Sequence, residues 1–364
     1  MAETLDLTDV PQTTTDPTRA AWLGLGTADR IRSVYRDGLP SRGVDPVRLR
    51  LVLGELDARG STGPVLSACV QLATALPLLA SAPAGSPGAH VLDRSLSGAA
   101  VVALAATDTG PGSDLTSLST TVEDLGDALV LNGGKQWITN ATAADSLLVL
   151  ARRRPGPHFT NFTWVLVPAD SPGVLVEPAD TDLFTGAAIG HLTLDRVTVP
   201  RDTVIGGAGR GLALFARHVA VERLAGGLWA AALCHRALAA TKARLVARAG
   251  LWEHGSVRQR FAEALVLARQ LDALVSVLGP QIAERHDHAA AALVKAAAGT
   301  TVEQVLGTCA HLHGAEGFST GGLQRLRAEA SVFSIAGGAS EVVLGTVADQ
   351  ADALLSALDP VRAP

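Results

Sequence analysis

Apolar residues recur at different spacings along the chain and divide it into three segments. Between residues 19 and 104 they follow a helical period, most clearly at 47–56 and 65–82, and predict a helical domain. Between 105 and 208 they form short β-branched runs bounded by Pro or Gly, which predict a compact β domain. From 209 to 364 the helical period returns in four long runs, and four helices of this length form a bundle.

This order of elements predicts a mainly helical α+β fold with an N-terminal helical domain, a middle β domain and a C-terminal four-helix bundle. It excludes a Rossmann fold or an α/β barrel, in which strands and helices alternate. Residues 1–18 are polar, lack a hydrophobic period and are predicted to be a disordered tail. Asn132-Gly133 predicts a hairpin turn. The glycine-rich stretch 206–211 precedes continuous helix, so it predicts a turn at a domain boundary rather than a dinucleotide fingerprint.

Composition narrows the choice of partners. Hydrophobic residues make up 48% of the chain but aromatic residues only 4%, so Ala, Val and Leu supply most of the core, as in closely packed helices. The net charge is −5, and no basic run is longer than residues 152–154. Because binding to nucleic acid needs a clustered basic face, we expect no nucleic-acid partner.

The cysteines and the N-terminus predict a cytoplasmic protein. Cys69, Cys234 and Cys309 are widely spaced without a CxxC pair, and are expected to be small buried hydrophobes in a reducing compartment. The polar, acidic N-terminus is not typical of a secretory signal. Arg, Lys or Asp is expected to interrupt every helix-like stretch, so we expect no membrane-spanning helix and no membrane partner.

Two motifs carry a resemblance to a known family. The first is TDTGPGSD at residues 107–114, and the second is LNGGKQWITN at residues 131–140. In order and composition they resemble the flavin-contacting signatures TEPxxGSD and LNGxKxWITN of the acyl-CoA dehydrogenases. The resemblance covers roughly residues 45–358 and includes Glu222-Arg223 and Lys295.

The resemblance implies FAD as the cofactor. A flavin ring needs hydrogen-bond donors along its polar edge and a flat apolar wall against one face. The resemblance assigns the donors to Thr107, Ser113 and Thr139, and the wall to Trp137. Gly112 lets the backbone approach the cofactor closely. The remaining cofactor-binding residues that it implies are His311, Gly314 and Ala339.

The resemblance also implies a catalytic carboxylate, because oxidation of an acyl thioester removes an α-proton while the β-hydrogen leaves as hydride. Most family members carry that glutamate in a YEGTS loop before the last bundle helix, where this chain has Gly337. A minority carry it in a Glu-Arg dipeptide on the first bundle helix, where this chain has Glu222-Arg223. We therefore expect Glu222 to be the base. The backbone N–H of Gly337 is expected to donate to the thioester carbonyl and to stabilise the developing enolate.

Three other family motifs are not intact. The RxxFG motif, which contacts the FAD of a neighbouring subunit in relatives, is replaced by residues 248–252 in a shortened connection. The QxxGG motif becomes HLHGA at 311–315, and the ERxxRD motif becomes QRLRAE at 324–329. These changes predict looser flavin binding or an altered oligomer, whereas the resemblance itself implies a homodimer or homotetramer.

The histidine pairs do not predict a metal site. His286 and His288, like His311 and His313, are two residues apart, and residues at that spacing on a helix point to different faces. We therefore expect no metal. No GxSxG elbow supports a serine hydrolase either.

Together these observations predict an FAD-dependent dehydrogenase of an acyl thioester of coenzyme A or of an acyl carrier protein. The short N-terminal domain and the altered motifs resemble biosynthetic relatives, such as the hydroxyacyl-carrier-protein dehydrogenases of polyketide extender-unit pathways. In such an enzyme Glu222 would deprotonate a hydroxyl group. Two alternatives stay open, a flavin-dependent monooxygenase on the same fold and a non-catalytic homologue that binds a carrier protein. The sequence does not identify the electron acceptor.

Overall fold

The computed structural model describes residues 16–110, 112 and 114–356. Contacts divide the chain into two compact units. The first contains residues up to 43 together with 61–218, and the second contains 44–60 together with the residues from 219 onward. Residues 1–15 of the predicted tail lie outside the described part, and the predicted domain boundaries at 104 and 208 stay predictions.

Short helices occupy the N-terminal part of the chain. They are α1 (Pro17–Thr27), α2 (Arg30–Ser33), α3 (Pro46–Asp57), α4 (Thr62–Val70), α5 (Leu76–Leu79) and α6 (Pro87–Leu96). Three of them, α1, α3 and α6, begin with Pro directly after an Asp or Ser whose side chain accepts a backbone N–H of the first turn. Proline sacrifices no helical hydrogen bond at that position, and the capping oxygen satisfies an otherwise unpaired donor. The helices predicted over 47–56 and 65–82 are confirmed.

An eight-stranded sheet lies in the first unit. Its strands are β1 (Val102–Ala105), β2 (Thr121–Asp124), β3 (Ala128–Ile138), β4 (Ser146–Arg152), β5 (Phe162–Pro168), β6 (Val174–Pro178), β7 (Gly190–Pro200) and β8 (Val204–Ile205). The order across the sheet is β6-β7-β3-β2-β4-β5-β8, and β1 pairs in parallel with β4. Alternate side chains of β3, β4, β5 and β7, mostly Val and Leu, form one buried core. The β-branched runs therefore form strands, as predicted.

The hairpin predicted at Asn132-Gly133 is wrong. The turn between β2 and β3 lies at residues 125–127, where Gly126 has a φ of +99°. Strand β3 continues through Asn132-Gly133, and its pairing with β7 shifts register there. The Asn132 side chain accepts a hydrogen bond from the backbone N–H of Arg196 at 2.9 Å. The Asn-Gly pair thus forms a β-bulge inside a long strand instead of a turn between two short ones.

Long helices dominate the second unit. They are α7 (Gly211–Ala247), whose residues from 219 onward belong to this unit, α8 (Gly255–Arg285) and α9 (His288–His313). Four shorter helices follow, α10 (Leu323–Ala330), α11 (Val332–Ile335), α12 (Ser340–Asp349) and α13 (Ala351–Ser356), where a single fourth helix was expected to complete the bundle. The stretch 206–211 connects β8 to α7 and is the predicted turn. The predicted mainly helical α+β fold is confirmed.

A buried carboxylate fixes α3 to α7 within the second unit. Asp57, the last residue of α3, is 1% exposed. It accepts hydrogen bonds from Arg236 Nε at 2.8 Å and from Trp229 Nε1 at 3.2 Å. Because a buried carboxylate is costly unless it is paired, this contact specifies how α3 packs on α7.

The three cysteines are buried, as predicted, and free. Burial raises the pKa of the Cys234 thiol to about 12 and raises the pKa of Cys309 above its usual value. Both thiols therefore stay protonated at neutral pH, and they act as small apolar packing groups.

Two stretches, Thr62–Leu79 and Leu323–Asp349, are long and apolar enough to span a membrane by length and composition. The first contains no charged residue, so the expectation that charges interrupt every helix-like stretch is wrong there. The protein buries 89% of that stretch, which is typical of a core helix. The second is divided among α10, α11 and α12, and 17% of its most apolar 18-residue window is buried. The absence of a membrane partner stays a prediction.

Candidate active site

A buried ion pair joins the two sequence motifs of the first unit. Lys135 on β3 is 1% exposed, and Asp108 in the first motif is 4% exposed. Lys135 Nζ lies 2.5 Å from Asp108 Oδ1, and it also donates to the backbone carbonyls of Ala106 at 3.0 Å and Leu150 at 2.6 Å. An ammonium group has three donors, so this lysine is fully hydrogen-bonded.

The Asp108 carboxylate is equally well satisfied. Its Oδ2 accepts the backbone N–H groups of Ser119 at 2.6 Å and Thr120 at 2.7 Å. Burial alone would raise the pKa of Asp108, but Lys135 and the hydrogen bonds from Thr120 outweigh it and hold that pKa below its usual range. Burial lowers the pKa of Lys135 to about 8, although Asp108 opposes that shift. The Asp108–Lys135 ion pair therefore links the two motifs and stabilises their contact.

Thr107 directly precedes Asp108 of this ion pair, two residues after the end of β1. Its carbonyl accepts the backbone N–H of Gln136 at 3.1 Å, so the first motif lies against the second. A Cβ added to Gly112 would lie 3.7 Å from Thr107 Cγ2, which places these two predicted cofactor-binding residues next to each other. Ser113, the third predicted residue of this motif, lies outside the described residues.

Trp137 is exposed by an irregularity of β3. Regular alternation would place Trp137 on the same face of the strand as buried Lys135. The register of β3 against β7 shifts between Lys135 and Ile138, and Trp137 has a φ of +55°. Its side chain is 57% exposed and lies edge-on to the ring of His191, with 5.3 Å between the ring centres. A bulky residue at positive φ is strained, and such strain is typical of functional sites.

Thr139 and Asn140 follow at the end of β3. Thr139 is half-buried, and Asn140 is fully buried with a φ of +70°. Asn140 Nδ2 donates to the carbonyl of Val102 at 3.2 Å, whereas its Oδ1 is a buried acceptor without a hydrogen bond from any described residue. Both ends of the motif are thus anchored in the sheet.

These features fit a flavin. The motif presents a flat apolar ring to solvent in a strained conformation, next to glycine backbone without side chains and to half-buried threonines that can donate hydrogen bonds. The residues that would hold the cofactor are those predicted from the sequence, namely Thr107, Gly112, Trp137 and Thr139.

In the second unit, the structure brings Glu222 and Gly337 together. Glu222 is a half-buried residue of α7, and Gly337 lies in the turn between α11 and α12 with a φ of +72°. A Cβ added to Gly337 would lie 3.8 Å from Glu222 Oε1. The carboxylate therefore borders the space that a side chain at position 337 would enter.

Two cations flank this carboxylate. The same added Cβ would lie 3.7 Å from Arg223 Cγ and 3.9 Å from Lys295 Cε. Arg223 Nε donates to the carbonyl of Gly337 at 3.0 Å. Lys295, on α9, is 5% exposed, and its ammonium group donates to the carbonyl of Phe333. Arg223 thus contacts the turn that contains Gly337, and Lys295 contacts the helix α11 directly before that turn.

Burial and charge shift the pKa values of both cations downwards. Burial, and then the neighbouring Arg223 guanidinium, lower the pKa of Lys295 to about 8, while Glu222 opposes the shift. Burial also lowers the pKa of Arg223, again against the attraction of Glu222. The Glu222 charge thus favours the charged forms of both cations, against the cost of their burial.

Close helix packing explains why these residues meet. A Cβ added to Gly227 on α7 would lie 2.3 Å from Val294 Cγ1 on α9, a distance that no real side chain tolerates. Glycine at this position lets α9 approach α7, and Lys295 directly follows Val294. The approach lies five residues after Glu222, which is about 8 Å along the helix.

The remaining predicted cofactor residues lie elsewhere in the second unit. Ala339 is half-buried and is the N-cap of α12, two residues after Gly337. His311 and Gly314 are exposed at the C-terminal end of α9. His311 lies sixteen residues beyond Lys295 on the same helix, or about 24 Å along its axis. The structure therefore does not bring His311 or Gly314 to the Glu222–Gly337 cluster.

The prediction of no metal site assumed that both histidine pairs lie on a helix, where residues two positions apart point to different faces, and this is true of one pair only. His311 and His313 both lie on α9, but His286 caps the end of α8 and His288 begins α9, so that pair is not on one helix. Among the residues that the structure describes, no three His, Cys, Asp or Glu side chains form a group that could hold a metal ion. The absence of a metal stays a prediction.

Sequence reasoning assigned no role to Asp108, Lys135 or Lys295. One signal was available, because the chain has only three lysines, Lys135, Lys242 and Lys295, among its 30 basic residues. Two of those three are buried. In a chain that uses arginine almost throughout, a retained lysine indicates a position where a compact ammonium group is needed.

Comparison with known proteins identifies the family. The family model "Acyl-CoA dehydrogenase, middle domain" matches residues 103–197, and "Acyl-CoA dehydrogenase, C-terminal domain" matches residues 209–351. The acyl-[acyl-carrier-protein] dehydrogenase MbtN of Mycobacterium tuberculosis is 30% identical over 297 residues, which covers 73% of this chain and 75% of that protein. Acyl-CoA dehydrogenase AFT10-1 of Alternaria alternata is 24% identical and covers 86% of this chain and 77% of its own.

Solved structures agree on the fold. A glutaryl-coenzyme A dehydrogenase in complex with glutaryl-CoA superimposes with a TM-score of 0.86 at 20% identity, covering 93% of this chain and 88% of its own. The FAD complex of PigA superimposes with a TM-score of 0.84 at 20% identity, covering 92% and 89%. With both family domains matched and a relative at 30% identity over most of its length, the chain belongs to the acyl-CoA dehydrogenase family, whose members are oxidoreductases.

Proposed function

We propose that this protein is an FAD-dependent dehydrogenase of an acyl thioester in which Glu222 is the catalytic base. The observation that carries the proposal is the position of Glu222 Oε1, 3.8 Å from where a Cβ of Gly337 would lie. In most of the family that loop position supplies the base from its own side chain. Here the loop has no side chain, and a carboxylate of the neighbouring helix borders the same space.

The residues of this chain account for the removal of the α-proton and for the stabilisation of the charge that this leaves on the thioester. Glu222 takes the α-proton, the electrons of that C–H bond form the new double bond, and the β-hydrogen leaves as hydride. When bound, FAD supplies the acceptor for that hydride. The N–H of Gly337 donates to the thioester carbonyl and stabilises the negative charge that develops on its oxygen. Arg223 and Lys295 border the same space as the Glu222 carboxylate and lie close to both proposed groups.

The relatives favour a carrier-protein thioester as substrate. MbtN is an acyl-carrier-protein dehydrogenase by name, and it is similar to this chain over most of its length. We therefore place an acyl-carrier-protein substrate before a coenzyme A substrate. A hydroxyacyl substrate of a biosynthetic pathway fits the same site, since Glu222 could take a hydroxyl proton in place of the α-proton.

Anaerobic flavin bleaching tests this function directly. Purified protein reconstituted with FAD is mixed with acyl-CoA, acyl-carrier-protein and hydroxyacyl-carrier-protein thioesters, and the flavin absorbance is followed. We expect bleaching by one class. Glu222→Gln should retain FAD and slow bleaching by at least about 100-fold, the usual contribution of a positioned general base. Glu303→Gln, an exposed change on α9, is the matched control and should bleach at the normal rate.

The same experiment decides between the alternatives. If Glu222→Gln turns over at the normal rate and product formation follows oxygen consumption, the protein is a monooxygenase and the base assignment is wrong. Protein that is colourless and does not bind added FAD is a non-catalytic homologue.

A further inference from the structure

Lys295 is a buried cation that the proposed chemistry does not use directly. It lies on α9, is 5% exposed and donates to the backbone carbonyl of Phe333. Burying an ammonium group is costly unless it gains specific interactions. Its partners therefore indicate what the position requires.

The carbonyl that Lys295 binds belongs to α11, the short helix directly before the turn that contains Gly337. That turn leaves α11 at Ile335 and enters α12 at Ser340. Lys295 thus holds the helix that leads into the turn, and Arg223 holds the turn itself at the carbonyl of Gly337 at 3.0 Å. The turn has two consecutive residues at positive φ, Gly337 and Gly338. Glycine backbone is permissive, so its conformation here depends on the groups that anchor it.

The anchor at Phe333 is itself rigid. The Phe333 ring packs against Trp229 of α7, with 4.7 Å between the ring centres. A Cβ added to Gly299 on α9 would lie 3.2 Å from the Phe333 carbonyl oxygen and 2.9 Å from Ser334 Oγ. Phe333 and Ser334 of α11 thus lie directly against α9, at a position four residues after Lys295.

Lys295 also acts on Glu222. Its Cε and Glu222 Oε1 lie 3.9 and 3.8 Å from the same point, the place of a Gly337 Cβ. The attraction between Lys295 and Glu222 opposes the repulsion from Arg223. One ammonium group therefore borders both the turn that carries the Gly337 N–H and the carboxylate proposed as the base.

We propose that Lys295 is a positioning residue that fixes the Gly337 N–H through the Phe333 carbonyl and holds the Glu222 carboxylate beside it through its charge. The inference rests on the proposed function, because it gives the base and the donor a shared support. Lys295 itself contacts no reacting atom in this scheme. Its loss should misplace two groups at once, and small misplacements of reacting groups cost up to about 100-fold in rate.

Three variants separate the two actions of Lys295. Lys295→Met removes both the hydrogen bond and the charge, Lys295→Gln keeps a donor without the charge, and Lys295→Arg keeps both. Lys242→Met is the matched control, since Lys242 lies over the ring of Trp252 and outside the cluster. Backbone amide exchange of peptides spanning 333–340 reports the order of the turn, and steady-state turnover with an artificial electron acceptor reports kcat and KM.

In Lys295→Met, the backbone amides of peptides 333–340 should exchange at least about tenfold faster than in the wild-type protein, and those of α7 should not change. The same variant should lower kcat by about 10- to 100-fold, with a smaller change in KM. Lys295→Gln should keep the turn ordered but still lower kcat, and Lys295→Arg should restore most of both. If Lys295→Met does not fold, the contrast between Gln and Arg carries the same test. Unchanged exchange in the turn, or a normal kcat with a disordered turn, would overturn the inference.

Failure of the proposed function gives a different result. In that case the wild-type protein is not bleached by any thioester of the panel, whatever residue occupies position 295. Amide exchange, which needs no substrate, then decides the inference alone. Faster exchange confined to 333–340 in Lys295→Met supports it, and unchanged exchange overturns it.

Discussion

Two buried lysines, one in each unit, stabilise their surroundings in different ways. Lys135 in the first unit donates to a carboxylate and two carbonyls, all within that unit. Lys295 in the second unit donates to the carbonyl of Phe333 in α11 and lies near Glu222 and Arg223 of α7. Burial lowers the pKa of both lysines to about 8. The same residue type therefore has two different roles: Lys135 balances a buried carboxylate, and Lys295 anchors a backbone carbonyl near Glu222.

The difference lies in what each lysine leaves behind when it is removed. Without Lys135, the buried carboxylate of Asp108 has no cation to balance it. Without Lys295, the Phe333 carbonyl loses a donor, but Glu222 keeps Arg223 beside it. The first lysine is thus a condition for folding of its motif, whereas the second mainly determines where two reacting groups lie.

The largest expected effect is that of Lys135→Met on stability. An uncompensated buried charge typically costs 3–5 kcal/mol, so we expect a loss of about that size in the free energy of unfolding. Lys295→Met should lose less, about 1–3 kcal/mol, because it leaves a neutral acceptor unpaired. Urea unfolding monitored by circular dichroism measures both, and Lys242→Met, at a half-buried lysine outside both clusters, is the control. If both variants lost the same free energy of unfolding, Lys135 would not be more important for folding than Lys295, and the proposed difference between the two lysines would be wrong.

The sequence predicted the regular elements because their signals are local. The Asp-Pro and Ser-Pro starts of α1, α3 and α6 need only neighbouring residues, and so do the β-branched strands. The proximity of Glu222 to Gly337 was also predictable. Position 337 lacks the glutamate that most of the family has there, and Glu222 supplies a carboxylate that the reaction needs. That prediction came from the requirements of the reaction and did not depend on knowing the fold.

What the sequence did not predict depends on contacts between distant residues. Lys135 and Asp108 are 27 residues apart, and they meet only because β3 lies against the first motif. The exposure of Trp137 depends on a register shift against β7, which no local pattern encodes. The same bulged pairing overrides the turn preference of Asn132-Gly133. Lys295 reaches Glu222 because Gly227 lets two helices approach.

Gly337→Ala tests the turn that Lys295 holds, with a smaller effect on stability. A Cβ there meets its neighbours at ordinary distances of 3.7–3.9 Å, so the cost comes from the backbone, which has a φ of +72°. An alanine at positive φ costs about 1–2 kcal/mol. Gly321→Ala is the matched control, since Gly321 has a φ of +73° and open space around it. Both variants should lose similar stability in urea unfolding.

Only Gly337→Ala should also slow anaerobic flavin bleaching, because its methyl group would enter the space beside Glu222. The Gly321→Ala rate should stay normal. If the two variants bleach at the same rate, the space at position 337 does not lie on the path of the substrate, and Lys295 would support a turn without a catalytic role.

The smallest expected effect is the dependence of stability on pH, which compares the two lysines in one measurement. The unfolded chain keeps each lysine proton up to about pH 10.5, whereas the folded protein releases it near pH 8. Unfolding therefore takes up protons between these values, and raising the pH favours the folded state. Between pH 7.5 and 8.5 each lysine should contribute roughly half of the slope that one full proton gives, because each is about half deprotonated in the folded protein near pH 8.

Between pH 7.5 and 8.5 the free energy of unfolding of Lys295→Met should therefore rise less steeply than that of the wild-type protein. The measurement is urea unfolding at intervals across that window. The window stops below pH 9, because the raised pKa values of Cys234 and Cys309 give the opposite slope above the usual thiol pKa. A variant as steep as the wild type would mean that Lys295 keeps its proton across this window when the protein is folded.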